Sequence, residues 1–206
     1  MCIICVSPIG QPQPTETQIR HMFSANPHGA GYMTARGGRV EIHKGFMTVS
    51  DLLRQLRAEA FGPDDAVVYH FRVSTQGGTG PEMTHPFPLS RRLEVLRALD
   101  STCAIGVAHN GVIPITSDKS DTACSDTARF VSGYMHRLVR SPRDLRDQAV
   151  LELLQAVTCS RLALMDAEGY VATVGHFIRD GGLLFSNGTY RDFSTRLWKY
   201  PLKEAR

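Results

Sequence analysis

The chain opens Met1-Cys2-Ile3-Ile4-Cys5-Val6. Residues 2–6 are apolar and rich in β-branched side chains, the pattern of a short buried strand. A cysteine one residue behind the initiator methionine gives this stretch a chemical meaning. Methionine is usually removed before a small residue, and Cys2 would then carry a thiol and a free α-amine together. That is a nucleophile with its own base. The rest of the sequence can be read for what such a nucleophile needs.

Working outward, Ser7-Pro8-Ile9-Gly10 ends the strand. Thr15 to Ser24 reads as a helix, capped by Thr15 or Thr17, with Ile19, Met22 and Phe23 on one side. Asn26-Pro27-His28-Gly29-Ala30-Gly31 is a glycine-rich turn. Tyr32–Ala35 and Arg39–His43 form a strand pair around Arg36-Gly37-Gly38. Thr48 to Ala60 is a helix with a stripe of Leu52, Leu53 and Leu56. Ala66–Phe71 is an apolar strand running into Arg72-Val73-Ser74-Thr75 and a glycine loop, Gln76 to Pro81. Thr84 to Leu89 reads as an ordered loop, because Phe87 and Leu89 need burial. Ser90 to Leu99 is a short helix or strand. Cys103–His109 is a strand that stops at Asn110-Gly111, a tight-turn dipeptide. Ser125 or Asp126 caps a helix through Phe130, Met135 and Leu138. A second helix spans Pro142 to Val157. Arg161–Met165, Tyr170–Val174 and Gly182–Phe185 follow as an antiparallel meander, and Trp198–Arg206 as a short cover. Roughly eight strands and three or four helices, joined by hairpin turns rather than βα repeats, predict an α+β fold with antiparallel sheets.

The 206 residues suit one domain, residues 1–206, with a good-sized core. Hydrophobic content of 42% and charged content of 21% are those of a soluble globular protein. A net charge of +3 makes no electrostatic case for nucleic acid. The local basic runs, Arg91 to Arg97 and His136 to Arg146, read as solvated faces. Five scattered cysteines do not make a disulfide framework, which implies a reducing compartment. The N-terminus lacks a signal peptide's basic region, and no stretch approaches a membrane span. The expectation is a soluble, cytoplasmic protein without metal or cofactor.

Three polar elements sit at strand ends, where a rigid scaffold can hold atoms closely. They are Cys2, Arg72 and Asn110-Gly111. A thiolate could attack a carbonyl carbon. The Asn110 side chain and the Gly111 backbone N–H could stabilise the oxyanion. Arg72 could clamp a substrate carboxylate in a bidentate pair. Each also has a plain structural reading: a buried small thiol, an ion-paired arginine, a hairpin turn. His70 and His109 read as hydrogen-bonded packing residues. Ser186-Asn187 at a strand end is a candidate border of the site.

These residues carry a resemblance. Met1-Cys2-Ile3-Ile4, Asn26-Pro27-His28-Gly29-Ala30-Gly31-Tyr32, His70-Phe71-Arg72-Val73-Ser74-Thr75-Gln76-Gly77, Thr84-His85-Pro86-Phe87, His109-Asn110-Gly111-Val112-Ile113 and Ser125-Asp126-Thr127 occur in the order of the class II glutamine amidotransferase domains. The chain resembles that family, a branch of the N-terminal-nucleophile hydrolases, over residues 1–130. The resemblance implies a four-layer αββα sandwich of two antiparallel sheets flanked by helices. It implies that Cys2 is the nucleophile, that its α-amine is the base, and that Asn110 and Gly111 form the oxyanion hole. It further implies that Arg72, with Thr75 nearby, binds the α-carboxylate of glutamine and that Asp126 binds its α-ammonium. Gln76, Gly77, His85 and Thr127 become candidate pocket residues.

Two positions depart from the family's pattern. Gln76 stands where histidine is usual, and Ala128 where glutamate is usual. Well-known members are fused to a synthase that uses the ammonia, which makes a separate ammonia-accepting subunit an expected partner here. The alternatives are plain glutamine hydrolysis, an N-terminal-nucleophile hydrolase acting on another γ-glutamyl amide or a peptide, and a non-catalytic binding or regulatory domain. Cys2-Ile3-Ile4-Cys5 has the C-x-x-C spacing of redox and zinc motifs, but two isoleucines inside a strand would direct the thiols to different faces. The reading around Cys2 predicts that the isolated protein lacks its initiator: intact mass spectrometry should find the chain short by one methionine residue. A retained Met1 would remove the amine base.

Overall fold

In the computed structural model, residues 1–74, 78–114 and 124–191 are described. Strand β1 (Ile3–Ser7) is buried along its whole length. It pairs antiparallel with β4 (Val67–Phe71) on one side and β11 (Leu183–Phe185) on the other. Its side chains alternate between two apolar clusters. Ile3 and Cys5 lie in one with Tyr32, Phe71, Met22 and Leu52, and Ile4 and Val6 lie in another with Met33, Val68, Ala108, Ala163 and Met165. Complete burial of an aliphatic side chain contributes about 1.5–3 kcal/mol, so a strand apolar on both faces anchors two layers at once.

The large sheet runs β10-β11-β1-β4-β2-β3-β6, with β2 at Ala30–Arg36, β3 at Arg39–Phe46, β6 at Asp100–Cys103 and β10 at Ile178–Asp180. The small sheet runs β5-β7-β8-β9, from Phe87–Pro88, Ile105–Asn110, Arg161–Asp166 and Val171–Val174. Every pairing given for these strands is antiparallel. Pro88, which has no N–H to give a ladder, sits in β5 at a sheet edge.

Helices α1 (Glu16–Ala25) and α2 (Val49–Glu59) cover one face of the large sheet. Thr15 caps α1 in a reciprocal box with Gln18, and Thr48 caps α2 through the Asp51 N–H. Ile19, Met22, Phe23, Leu52 and Leu53 enter the first cluster. On the far side of the small sheet, Val107, Leu162 and Leu164 meet Phe130, Val131, Met135 and Leu154. Those residues come from a helical run that begins with α4 (Asp126–Phe130), passes through a π-helical turn (Val131–Met135) into α5 (His136–Leu138), and from α6 (Gln148–Thr158). The short α3 (Leu93–Arg97) contributes the buried Leu96.

Several sequence expectations are corrected. Cys103–His109 is two strands, because the chain leaves the large sheet at β6 and enters the small one at β7 across Ala104. Asn110-Gly111 closes no hairpin, since β7 pairs with β8 and Asn110 faces Arg161. The C-terminal meander divides: β8 and β9 pair in the small sheet, while β11 crosses to the open side of β1. The helix expected from Pro142 begins as a 3-10 turn (Pro142–Arg146), and α6 starts afresh behind Asp147, whose side chain accepts the Ala149 N–H. Trp198–Arg206 lies outside the described residues. No helix among the described residues is long and apolar enough to cross a membrane.

Gly31 in β2 lies where three segments converge. A Cβ there would collide with the His85 carbonyl oxygen and sit 2.8 Å from that of His43 and 2.5 Å from Lys44 Cβ. Backbone atoms cannot rotate aside. At Gly106 the main obstacle is the Met33 sulfur, which can. Gly31→Ala should therefore cost about 2–3 kcal/mol, the upper range for overpacking. Gly106→Ala should cost less, and Gly62→Ala, with open space around it, should be near neutral. Urea midpoints of the three variants check the order.

Candidate active site

Alternation along the strands decides which polar groups meet. The register Ile3↔Phe71 and Ile4↔His70 carries Cys2 alongside Arg72 by continuation. Cys2 shares a face with Ile4, and Arg72 with Val68 and His70, toward the small sheet. On β7 the residues in step with Ala108 are Gly106 and Asn110. Three strands from two sheets thus aim Cys2, Arg72 and Asn110 into the space between the sheets at one end.

The contacts follow from that placement. Cys2 Sγ lies 3.4 Å from the Val73 carbonyl and accepts the Val73 N–H at 3.3 Å. Burial pushes the thiol above its ordinary value, and the Val73 amide, the Arg72 charge and the N-terminal charge offset only part of this. A neutral thiol is the resting form, so a base is needed before it can attack. Arg72 is 3% exposed. Burial opposes its charge, while Cys2, Glu82 and Asp126 favour it. Its Nη2 donates to Ser74 Oγ at 3.2 Å. The glycine-rich turn after α1 holds this segment: the His28 N–H donates to the Arg72 carbonyl at 2.9 Å, the Arg72 N–H to Gly29 O at 2.8 Å, and the Ser74 N–H to His28 Nδ1 at 2.9 Å. Lys44, buried behind the site and pushed down to about 7 by desolvation, donates to the Glu82 carbonyl at 2.8 Å. Its ammonium lies 4.1 Å from the Phe87 ring centre and ties the segment before β5 to β3.

Asn110 is fully buried, and its side-chain nitrogen lies 2.8 Å from Ser186 Oγ. Gly111 has φ 151°, and a Cβ there would crowd Ser160 and approach His109 Nε2 at 3.3 Å, so glycine is required. Asp126, in the first turn of α4, accepts from the Ile113 N–H at 2.7 Å, and from the Thr127 N–H at 2.7 Å and hydroxyl at 3.3 Å. A carboxylate has about four lone-pair sites, which leaves room for one further donor. Thr127 Oγ1 lies 2.7 Å from His109 Nδ1 and so supports the strand beneath the site. Thr75, Gln76 and Gly77 lie outside the described residues.

Three buried histidines, including the candidate His85, form the floor. His70 Nε2 lies 3.0 Å and His85 Nδ1 3.2 Å from the His109 carbonyl, and the His70 and His85 rings are 4.3 Å apart. His85 is thus packed inside. Two residues carry more than the sequence revealed. Ser186 Oγ accepts the Ile4 N–H at 2.8 Å, and Asn187 Nδ2 donates to the Cys2 carbonyl at 2.6 Å. Both follow β11, whose pairing with β1 no local pattern discloses. Cys5, the second thiol of C-x-x-C, points into the helix-side cluster away from Cys2. Among the described residues no three His, Cys, Asp or Glu side chains are grouped for a metal ion.

No family model matches the chain, and no curated protein matches it; the family resemblance rests on the residues themselves.

Desolvation holds His70 down to about 3 and His109 to about 4, and holds His85 well below the ordinary 6.5. The unfolded chain takes up these protons near pH 6.5, the folded chain only below about 4. In that window the unfolded state binds more protons, so stability present at neutral pH is lost as pH falls, by up to about 1.4 kcal/mol per pH unit for each histidine. Urea midpoints should therefore drop steadily from pH 7 to pH 4, and His70→Gln should flatten the slope by one proton.

Proposed function

We propose that this protein is an amidohydrolase of the class II glutamine amidotransferase kind, in which Cys2, freed of Met1, cleaves the side-chain amide of glutamine or of another γ-glutamyl amide. The observation that carries this reading is the register that sets Cys2 beside Arg72, with Asn110 tied through Ser186 to Ile4 of the same strand β1. The three apolar clusters support a four-layer αββα sandwich: α1 and α2, the large sheet, the small sheet, then α4 to α6. Met1 is 74% exposed and open to removal.

The chemistry follows from the charges. Glutamine is zwitterionic at one end, and Arg72 and Asp126 complement its carboxylate and ammonium. Its amide then reaches toward Cys2. The α-amine of Cys2 takes the Sγ proton, and sulfur bonds to the amide carbon while the carbonyl electrons move onto oxygen. The Asn110 side chain and the Gly111 N–H stabilise that oxyanion. The C–N bond breaks, the amine returns its proton to the departing nitrogen, and ammonia leaves behind a thioester. Water, giving a proton to the same amine, adds to the thioester, and the C–S bond breaks to give glutamate while the amine returns that proton to the departing sulfur. Ammonia passes to solvent or to a separate accepting subunit. A reducing, cytoplasmic setting suits a catalytic thiol.

Incubation with glutamine should release glutamate and ammonia in equal amounts, and Cys2→Ala should reduce the rate to background. A glutamine-analogue electrophile should modify Cys2 alone. Turnover of a γ-glutamyl anilide without turnover of glutamine would select the broader amide substrate. No turnover of either, with Met1 retained, would leave a non-catalytic binding or regulatory domain.

A further inference from the structure

We infer that Ser186 is a positioning residue that turns the Asn110 carboxamide into an oxyanion donor; this rests on the amidohydrolase reading above. Ser186 is bound twice to one residue of β1. Its N–H donates to the Ile4 carbonyl at 3.0 Å, and its Oγ accepts the Ile4 N–H at 2.8 Å. The hydroxyl is therefore held in place at the end of β11. Its exposure is 2%, and as placed its Oγ accepts from Asn110 Nδ2 at 2.8 Å, the Asn110 side chain being wholly buried. The far end of that carboxamide has no protein partner among the described residues.

As placed, that far end is Oδ1, and the inferred orientation is the reverse. A carboxamide turned by half a revolution about its last bond keeps its shape and exchanges nitrogen for oxygen. The Ser186 hydroxyl has one lone pair committed to Ile4, and it has one hydrogen to give. If it gives that hydrogen to Asn110 Oδ1, both the hydroxyl and the carbonyl end are satisfied. The NH2 then occupies the far end, a buried donor with no acceptor until a substrate oxygen arrives. In the opposite orientation the far end is a carbonyl oxygen, which would repel a developing oxyanion. Leaving a buried donor unpaired is costly, and that cost is relieved when negative charge forms beside it. Ser186 thus selects the orientation in which the strain of the resting site favours the transition state.

The test uses the full-length protein in glutamine turnover, and it begins with the wild type. A wild type that turns over neither glutamine nor a γ-glutamyl anilide removes the amidohydrolase reading and this inference with it. With an active wild type, Ser186→Ala should lower kcat about tenfold, the worth of one net hydrogen bond, with KM within about twofold. Alkylation of Cys2 by iodoacetamide builds no oxyanion, so its rate should be unchanged in the variant. Asn110→Ala should lower kcat by about 10²–10³, as for loss of an oxyanion donor. Adding Ser186→Ala to Asn110→Ala should then lower kcat no further, because Ser186 acts through Asn110. An unaltered kcat in Ser186→Ala overturns the inference. So does an equal loss on both backgrounds, or a parallel fall in alkylation, each of which marks a merely structural serine. Should Ser186→Ala fail to fold, Ser186→Cys, close in size and a poor donor, carries the same comparisons.

Discussion

The strand that begins behind Cys2 is committed on every side. Its two neighbours take its backbone groups, and two apolar clusters take its side chains. A strand so enclosed cannot shift register without moving every aliphatic side chain to the wrong face. The first residue before it inherits that rigidity. Cys2 has little chain of its own to restrain it, yet its sulfur is held against Val73 and its carbonyl against Asn187. The position of the thiol is a consequence of packing in the core, reached through the ladder rather than through local loop chemistry.

The same enclosure sets the electrostatics of the site. Burial raises the thiol, opposes the Arg72 charge, and holds three histidines below their ordinary value. The histidines are therefore acceptors and donors of fixed hydrogen bonds between the sheets, not general bases at neutral pH. In the proposed mechanism the proton of the thiol goes instead to the α-amine that Cys2 gains when Met1 is removed. Burial that is costly for a resting charge is what makes each remaining dipole effective toward a charge formed in reaction.

The two strands at opposite ends of the chain also share a purpose. β1 supplies the thiol, and β11, some 180 residues later, supplies the serine and asparagine that tether the site. Bringing them together is entropically demanding, and the reward is a ladder that satisfies the open side of β1. Phe185 and Tyr190, with rings 3.6 Å apart and nearly parallel, secure the turn that follows.

Much of this was legible in the residues. The apolar runs of β1 and β4, the turn-bounded pair β2 and β3, the threonine caps of α1 and α2, and the order of Cys2, Arg72 and Asn110-Gly111 follow from local chemistry: β propensity, capping and turn propensity act over a few residues. What local chemistry could not decide was partnership. Cys103–His109 is one apolar run, and only the layout of two sheets divides it at Ala104. Asn110-Gly111 has the composition of a hairpin, and only the pairing of β7 with β8 makes it a strand end. Ser186 and Asn187 could be placed at the border of the site from their position at a strand end, but their partners, Ile4 and Cys2, follow only from the open edge of β1. The sequence by itself determined which groups were available and on which face of each strand they stand; the tertiary structure decided which of them meet, because register and layer order arise from long-range burial that no short segment encodes.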